Sequence, residues 1–229
     1  MKISCTGFAF DEGKIKYDDE KLSALKDKMN PKKFVPFYAE LISNNYIQAD
    51  LIAIKRSSLP DLLIIDMEKC ETRNENSDDE TEKKLMDKCL GYLEDEIPLC
   101  DAPHDPAELD HLKAITILSI KPVLVLDEDP AINELLKMSF ERSDTMFFYT
   151  AAPNEVHAWH INKGSTILEC AAKIHTDLAR GFIKGDVAAY NDFMSCHNMS
   201  DAIKKGLAKL VDKDHIVQPD DVIEIRSNI

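Results

Sequence analysis

Residues 145–161 have the sequence TMFFYTAAPNEVHAWHI. Two mostly apolar runs, Met146–Thr150 and Val156–Ile161, lie on either side of Pro153-Asn154. Aromatic and β-branched residues favour strands, and a Pro-Asn pair favours the turn that joins them. This stretch therefore predicts a pair of neighbouring strands, and it marks a change in the character of the chain.

The residues that follow extend this part to the end of the sequence. Ser165 is placed to cap a helix, and Asp201–Leu210 is a second predicted helix. Phe182–Val187 and Val222–Ile225 are predicted strands. A mixed sheet with a packed helix over residues 145–229 predicts an α+β domain.

Upstream, the chain has the pattern of an α/β core. Ala49–Ile54 (ADLIAI) and Pro122–Leu126 (PVLVL) are near-continuous apolar runs, which is typical of strands buried on both faces of a parallel sheet. The other elements predicted there are a strand at Lys2–Phe10, a helix at Asp18–Met29 and a strand at Phe34–Ile42.

A helical insertion separates the two apolar runs. Leu59–Cys100 is rich in Lys, Glu and Leu, and its apolar residues recur at helical spacing. The acidic tract Asn74–Glu82 interrupts that pattern near the tip of a predicted hairpin, and Asp105 is placed to cap a further helix. The predicted domains are an α/β core at 1–58 and 116–144, a helical hairpin at 59–115, and the α+β domain at 145–229.

Composition limits the classes of function. The 229 residues are 44% hydrophobic, which is enough for packed cores, and they carry a formal net charge of −14. An acidic surface repels phosphate backbones and so argues against binding to free nucleic acid. No apolar run is long enough to span a membrane, and Met1–Phe10 lacks the apolar core of a signal peptide. The six widely spaced cysteines are therefore expected to be free thiols of a cytoplasmic protein.

The segment from Gly7 to Ile15, GFAFDEGKI, partly matches a phosphate-binding loop. Such a loop requires G-x-x-x-x-G-K-[ST], so that backbone N–H groups surround the phosphates and the hydroxyl reaches Mg²⁺. Here the spacer has five residues instead of four, Ile15 replaces the hydroxyl residue, and two acids lie inside the loop. The segment therefore predicts neither nucleotide binding nor a cofactor.

Other polar groups have structural explanations that we favour over catalytic or metal-binding ones. Asp127-Glu128-Asp129 follows a predicted strand, where a cation could bind, but Pro130 favours a solvated turn. Zinc ligands are usually paired at tight spacing, and nucleophile–base pairs usually have an orienting third group. These tests argue against a metal set of Cys100, His104 and His111 and against a catalytic pair of Cys196 and His197.

The single tryptophan lies in the second strand of the opening stretch. Alternation along a strand places His157 and Trp159 on one face, and Val156, Ala158 and His160 on the other. The Trp/His face could stack on a base or on a partner side chain. Alternatively, Trp159 fills the core of the domain, which we favour because large aromatic residues are usually buried.

Several motifs in the C-terminal part resemble the TGS domain, a β-grasp fold, of the Obg-like ATPases (the YchF family). They are Ala151–Trp159 (AAPNEVHAW), Lys163-Gly164, Ala171–Asp177 (AAKIHTD), Gly181–Ile183 (GFI), Tyr190 and Phe193. Upstream, Lys121–Leu126 resembles the strand after that family's helical insertion, and residues 59–112 resemble a shortened coiled-coil arm. The resemblance implies an α/β remnant of a P-loop-type domain with a helical hairpin insertion, followed by an α+β β-grasp (TGS) domain.

The departures from the family concern nucleotide chemistry. Family members hydrolyse ATP or GTP, but here the phosphate loop looks deleted between Gly7 and Gly13, and no D-x-x-G follows Leu41. Asp127–Pro130 stands where the family's base-reading Asn-x-x-Glu is expected. The sequence therefore predicts a protein that is not an enzyme and has no catalytic residues.

The features that do resemble the family are its arm and TGS domain, which the family is thought to use for contacts with ribosomes or RNA. Lys204, Lys205 and Lys209 are predicted to lie on one helix, either as a small basic strip or as an ordinary solvated face. The candidate partner-binding residues are His157, Trp159, His175, Asp177, Arg180, Lys204, Lys205 and Lys209.

The expected function is that of a non-catalytic binding protein that contacts a ribosome, another RNA–protein complex or a protein. Two alternatives stay open at this stage. The core could bind ATP or GTP without a P-loop, as a sensor, or the β-grasp domain could bind a small molecule.

Overall fold

The computed structural model describes residues 1–228, which form two compact units. The first unit comprises residues 1–15 and 39–142, and the second comprises residues 16–38 and 143–228. Each unit is thus built from two separate segments. The acidity is concentrated in the first unit, which carries 13 Lys and Arg against 26 Asp and Glu.

Residues 1–228 form strands and helices that are numbered in chain order. The strands are β1 (Lys2–Thr6), β2 (Gly13–Lys16), β3 (Lys33–Val35), β4 (Tyr38–Ser43), β5 (Leu51–Lys55), β6 (Val123–Leu126), β7 (Thr145–Ala151), β8 (Glu155–Asn162), β9 (Phe182–Ala188), β10 (Ala208–Val211) and β11 (Val222–Ser227). The helices are α1 (Glu20–Met29), α2 (Leu59–Asn76), α3 (Glu80–Glu94), α4 (Pro106–Ala114), α5 (Ile132–Arg142), α6 (Ile167–Ile174), α7 (Thr176–Arg180), α8 (Tyr190–Met194) and α9 (Met199–Lys204). Single 3₁₀ turns occupy Arg56–Ser58 and Leu99–Asp101.

The first unit contains a sheet with the strand order β2-β4-β1-β5-β6. Strand β1 runs parallel to β4 and β5, and β5 runs parallel to β6. Every residue of Leu51–Ile54 in β5 is fully buried. The near-continuous apolar runs at 49–54 and 122–126 therefore do form neighbouring parallel strands, as predicted.

The predicted helical insertion forms a hairpin of α2 and α3, which pack together along their length. Asp79 ends the short connection and caps α3, because its carboxylate accepts the Thr81 N–H at 2.8 Å. The predicted cap at Asp105 is also present, as a capping box with Glu108. The apolar stripes of this insertion and strands β5 and β6 share one core, whose fully buried members include Leu62, Cys70, Met86, Cys89 and Leu112.

A turn at residues 116–119 fixes the base of the hairpin. The buried Asp66 carboxylate of α2 accepts the backbone N–H groups of Leu118 and Ser119, each at 2.7 Å. One helical turn later, Lys69 Nζ donates to the Thr116 carbonyl at 2.9 Å. Burial raises the pKa of Asp66, and the two N–H donors oppose that shift because they favour the charged form.

The second unit contains a sheet with the strand order β10-β9-β11-β7-β8-β3. Strands β7 and β8 are antiparallel neighbours, as the opening stretch predicts. Helix α6 covers one face, where Phe148 and Ile167 are fully buried in a common core. Thr166, not Ser165, caps this helix, because Thr166 and Glu169 form a capping box.

The opposite face of this sheet is covered by residues 16–38, which the sequence pattern assigns to the α/β core. Helix α1 packs on β7 and β8, and its cap residue Asp19 accepts a hydrogen bond from the Tyr149 hydroxyl at 2.9 Å. Tyr17 stacks on Phe147 with ring centroids 5.5 Å apart. The predicted strand Phe34–Ile42 is therefore wrong as one element, since β3 joins this sheet and β4 joins the other.

The predicted helix Asp201–Leu210 is shorter in the structure. Helix α9 ends at Lys204, and Gly206 has a φ of 72°, a left-handed conformation that ends helices. Lys209 lies in β10, which pairs with β9. The three lysines predicted on one helix are therefore divided between a helix end and a strand.

The contact between Asp19 and Tyr149 leads to a prediction on pH. Burial raises the pKa of Asp19, so its contribution to stability is fully present below the unfolded pKa of about 3.9 and is lost as the pH rises through the folded pKa. Asp19→Asn removes this titration and keeps a cap acceptor. The stability of wild type relative to Asp19→Asn should therefore increase as the pH falls from 7 towards 4, measured by urea unfolding at each pH. Asp27→Asn, an exposed change on the same helix, is the control, and an equal pH trend in both variants would contradict the assignment.

Candidate functional site

The carboxyl edge of the first sheet is the place where open α/β sheets usually bind ligands. Strands β2 and β4 lie on one side of β1, and the later strands β5 and β6 lie on the other side. The direction of the strand order therefore reverses between β1 and β5. The loop at residues 7–12 connects β1 directly to β2 without an intervening helix. A side chain at Gly7 would meet Lys55 Cβ at 2.8 Å and Ser58 Oγ at 2.9 Å, so the loops after β1 and β5 are in close contact.

The basic side chains at this edge already have acidic partners. Lys55 Nζ lies 2.5 Å from Asp129 Oδ1, and Arg56 Nε lies 2.6 Å from Asp127 Oδ1. The hydrogen bond from Lys55 lowers the pKa of Asp129. Two of the three acids predicted to form a solvated turn after β6, Asp127 and Asp129, therefore form ion pairs with basic residues at the end of β5.

A cavity of about 450 Å³ lies between α3 and α4 in the hairpin region. Two polar pairs lie in its lining, with Lys88 Nζ 2.7 Å from Glu108 Oε2 and His111 Nε2 3.0 Å from Glu82 Oε1. Cys100, which the sequence places near His104 and His111, has a different partner. Its sulfur accepts a hydrogen bond from Arg142 Nη2 at 3.1 Å. Within residues 1–228, no three His, Cys, Asp or Glu side chains are grouped as metal ligands.

The second unit has an apolar groove of about 250 Å³ on the face of its sheet that α6 covers. We call it the Trp159 groove. Its apolar wall is formed by Trp159 of β8, Ile174 at the end of α6, Leu178 of α7 and Ile223 of β11. The remaining lining residues are Thr150, Ala151, Ala152, Asn154, Glu155, Met199, Val222, Glu224 and Ile225.

Trp159 is held in a fixed orientation within this groove. Its indole N–H donates to Thr150 Oγ1 at 3.0 Å, and its ring stacks on His157 with centroids 3.6 Å apart. His157 Nδ1 contacts Glu155 Oε1 at 3.0 Å, while burial is the largest effect on His157 and lowers its pKa. Trp159 is half-buried, so it both packs against the core and presents an apolar surface to the groove.

The other predicted partner-binding residues fall into separate places. His175, which caps α7, and Asp177 and Arg180 of α7 form a small exposed polar group, with Arg180 Nη1 3.5 Å from Asp177 Oδ1. Lys205 Nζ pairs with Asp201 at 2.8 Å, and Lys204 is exposed at the end of α9. The structure thus brings α7 to the groove through Leu178 but does not assemble a strip of three lysines.

Of the apolar residues that form the groove wall, only Trp159 was predicted from the sequence. Ile174 and Leu178 are four positions apart, which places two apolar side chains on one side of a helical segment. That spacing was an available signal, but helix α6 ends at Ile174 and α7 begins at Thr176. The groove also needs β11, which is distant in sequence and carries no local signal for this contact.

Within residues 1–228, none of the helices has both the length and the apolar character needed to cross a lipid bilayer. All six cysteines are free in the structure.

The class of protein follows from a comparison of the fold with a solved structure. The chain superimposes on the structure of the Schizosaccharomyces pombe YchF GTPase with a TM-score of 0.78, covering 95% of this chain and 88% of that one. The sequence identity is 16%, so this likeness concerns the fold alone. The folding class is therefore that of the YchF GTPase structure, an α/β protein with two sheets.

Sequence comparison then identifies the family. Residues 145–228 match the YchF-GTPase_C family model, described as "Protein of unknown function (DUF933)". The chain is 33% identical over 161 residues to the ribosome-binding ATPase YchF of Pasteurella multocida, which covers 68% of this chain and 43% of that protein. It is 34% identical over 134 residues to the ribosome-binding ATPase YchF of Haemophilus influenzae, covering 58% and 36%. Obg-like ATPase 1 of Rattus norvegicus is 35% identical over 99 residues, covering 43% and 25%.

The chain is therefore related to the YchF and Obg-like ATPases, and its C-terminal region is a YchF C-terminal region, as the sequence resemblance predicts. The chain matches less than half of the length of each of these three relatives.

Proposed function

We propose that this chain is a non-hydrolysing binding protein that associates with the ribosome, chiefly through its second unit. The observation that carries the proposal is the Trp159 groove. All of its lining residues lie in the part of the chain that matches the YchF C-terminal family model, and two of the relatives are named ribosome-binding.

The chemistry of the groove favours a protein side chain as its occupant. A fixed aromatic ring beside aliphatic residues forms a pocket in which an apolar side chain of a partner can be buried. Buried side chains of this kind supply most of the binding energy of many protein interfaces. Glu224 in the lining would repel phosphate and attract basic residues, whereas Glu155 is already paired with Lys33 at 2.5 Å. We therefore infer that the groove binds an apolar side chain of a basic ribosomal protein.

The geometry of the first sheet supports the non-hydrolysing part of the proposal. A nucleotide at the carboxyl edge would need free backbone N–H groups in a loop and an unpaired lysine. Here the loop after β1 is packed against Lys55 and Ser58, and the lysine and arginine of that edge are paired with Asp129 and Asp127. A phosphate would have to displace both aspartates.

Two measurements test the proposal. The purified chain should co-sediment with ribosomes of its source organism in saturable fashion, and titration calorimetry with ATP or GTP and Mg²⁺ should show no binding tighter than roughly 100 μM, about −5.5 kcal/mol. Absence of co-sedimentation would count against the ribosome as partner. Tight nucleotide binding without turnover would replace the proposal with the sensor alternative, and turnover that is lost in Lys55→Ala would contradict the non-hydrolysing assignment.

A further inference from the structure

The segment 16–34 of the second unit carries a lysine cluster around a single aromatic ring. Lys26 Nζ lies 5.2 Å and Lys16 Nζ 5.8 Å from the centroid of Phe34. Both lysines are exposed, and the Phe34 ring is half-buried. Lys32, also exposed, lies two positions before Phe34. We call these four residues the Phe34 cluster.

The cations of this cluster lack acidic partners. Among the residues that the structure describes, no carboxylate lies within ion-pair distance of Lys16, Lys26 or Lys32, whereas the neighbouring Lys33 pairs with Glu155 at 2.5 Å. Because Lys16 and Lys26 lie within 6 Å of the same centroid, their ammonium groups are no more than about 11 Å apart, comparable with the screening length of about 8 Å at physiological salt. Their mutual repulsion would be relieved by an anion.

The cluster also stands out against the charge of the whole molecule. Residues 26–34 carry four lysines and one aspartate, in a chain with a net charge of −14. In the first unit, Lys55 and Arg56 at the sheet edge and Lys88 in the hairpin are each paired with an acid. A group of unpaired lysines in an acidic protein concentrates positive potential at one place.

We propose that the Phe34 cluster binds the phosphate backbone of RNA. Lysine is a compact point charge suited to phosphate, and a positive surface that includes an aromatic ring is the combination used by proteins that bind single-stranded nucleic acid. The inference rests on the proposed function, because it names RNA as the part of the ribosome that this surface contacts. The Trp159 groove, which is apolar and has Glu224 in its lining, has the complementary preference for protein.

The first test uses the full chain and a fluorescently labelled single-stranded RNA oligonucleotide, with anisotropy measured from 50 to 200 mM salt. The triple variant Lys16→Gln, Lys26→Gln, Lys32→Gln should bind about tenfold more weakly at 100 mM salt. The slope of log affinity against log salt should become shallower by about 2, since each phosphate contact on a single strand contributes about 0.7.

The matched control removes the same charge elsewhere in the second unit. Lys163, Lys173 and Lys213 are exposed and lie outside both the Phe34 cluster and the candidate partner-binding residues, so their triple glutamine variant should keep the affinity and the salt slope of wild type. If the two triple variants lose the same RNA affinity, the effect comes from net charge alone and the proposal is overturned. If poly-L-glutamate binds wild type as tightly as the RNA does, and the cluster variant weakens both equally, the cluster binds acidic peptides and not RNA.

Ribosome co-sedimentation separates this proposal from the one on which it rests. If wild type binds ribosomes and the cluster variant binds with unchanged affinity and salt slope, the cluster proposal is wrong while ribosome association stands. If wild type does not bind ribosomes but binds the oligonucleotide through the cluster, the ribosome assignment fails while the phosphate site stands. If wild type binds neither, both fail.

Discussion

Replacing Asp66 by alanine should lower the free energy of unfolding of the first unit by about 3–5 kcal/mol, because hydrogen bonds to a charged group contribute about 1.5–3 kcal/mol each. Asp66 is fully buried, and its carboxylate is the acceptor for the N–H groups of Leu118 and Ser119. Without it, two buried donors at the base of the hairpin have no acceptor. Urea unfolding measures the global loss, and hydrogen exchange of the amides of residues 118 and 119 should accelerate more than that of β5.

Asp66→Asn provides an intermediate case. The amide keeps one acceptor oxygen but turns a donor towards the second N–H, so about 1–3 kcal/mol should be lost. Glu68→Gln, an exposed change on the same helix, should have little effect, typically within about 0.5 kcal/mol. If Asp66→Ala and Glu68→Gln have the same stability, the 116–119 turn is not held by this carboxylate.

Trp159→Ala should weaken ribosome association about 30-fold, equivalent to about 2 kcal/mol, since central aromatic anchors of interfaces typically cost that much when truncated. The same change removes a half-buried ring that packs with His157 and Phe148, so a loss of stability of about 2–4 kcal/mol is also expected. Affinity from quantitative co-sedimentation must therefore be compared at a temperature where circular dichroism shows both proteins folded.

Two further variants separate binding from folding. Trp159→Phe keeps an aromatic ring in the groove and should bind within a few-fold of wild type. Ile183→Ala removes an exposed apolar side chain of β9 that does not line the groove, and it should bind like wild type. A folded Trp159→Ala protein with wild-type affinity would show that the groove is not the contact.

The sequence predicts most elements of this fold because their signals are local. The hairpin follows from helical spacing around an acidic tract, and β5 and β6 follow from apolar runs. The run Phe34–Ile42 is different, because its pattern indicates strand but not which sheet it joins. Pro36, which lacks an N–H, and Phe37 interrupt the run, and the two halves join different sheets, β3 pairing with β8 and β4 with β1.

Two errors near helix ends had visible signals. Thr166 is followed at the third position by Glu169, which is the spacing of a capping box, whereas Ser165 is followed by Leu168. Gly206 lies just after the last residues of α9 and is the usual residue for ending a helix. In both cases one residue with a specific backbone role sets the end of the helix. Hydrophobic periodicity does not detect such residues.

The candidate site could be predicted only in part. Trp159 stands out because it is the single tryptophan, and alternation places His157 on the same face of its strand. The groove wall, however, combines α6, α7 and β11, and that combination depends on tertiary packing. The Phe34 cluster was also missed. Its lysines are scattered through a segment that the sequence pattern assigns to the α/β core, whereas in the structure α1 packs on β7 and β8.

The division of each unit into two segments has a consequence for biosynthesis. Helix α1 ends at Met29, but the sheet face that buries its Leu22 and Leu25 begins only at Thr145. At about 5–20 residues per second, roughly 6–25 s pass between the synthesis of the helix and that of its docking surface. The first unit is complete at Arg142 and therefore becomes available for folding earlier than the second. It would fold while the lysine-rich helix α1 is looped out of it. During that interval the nascent chain leaves the apolar stripe of α1 exposed to solvent.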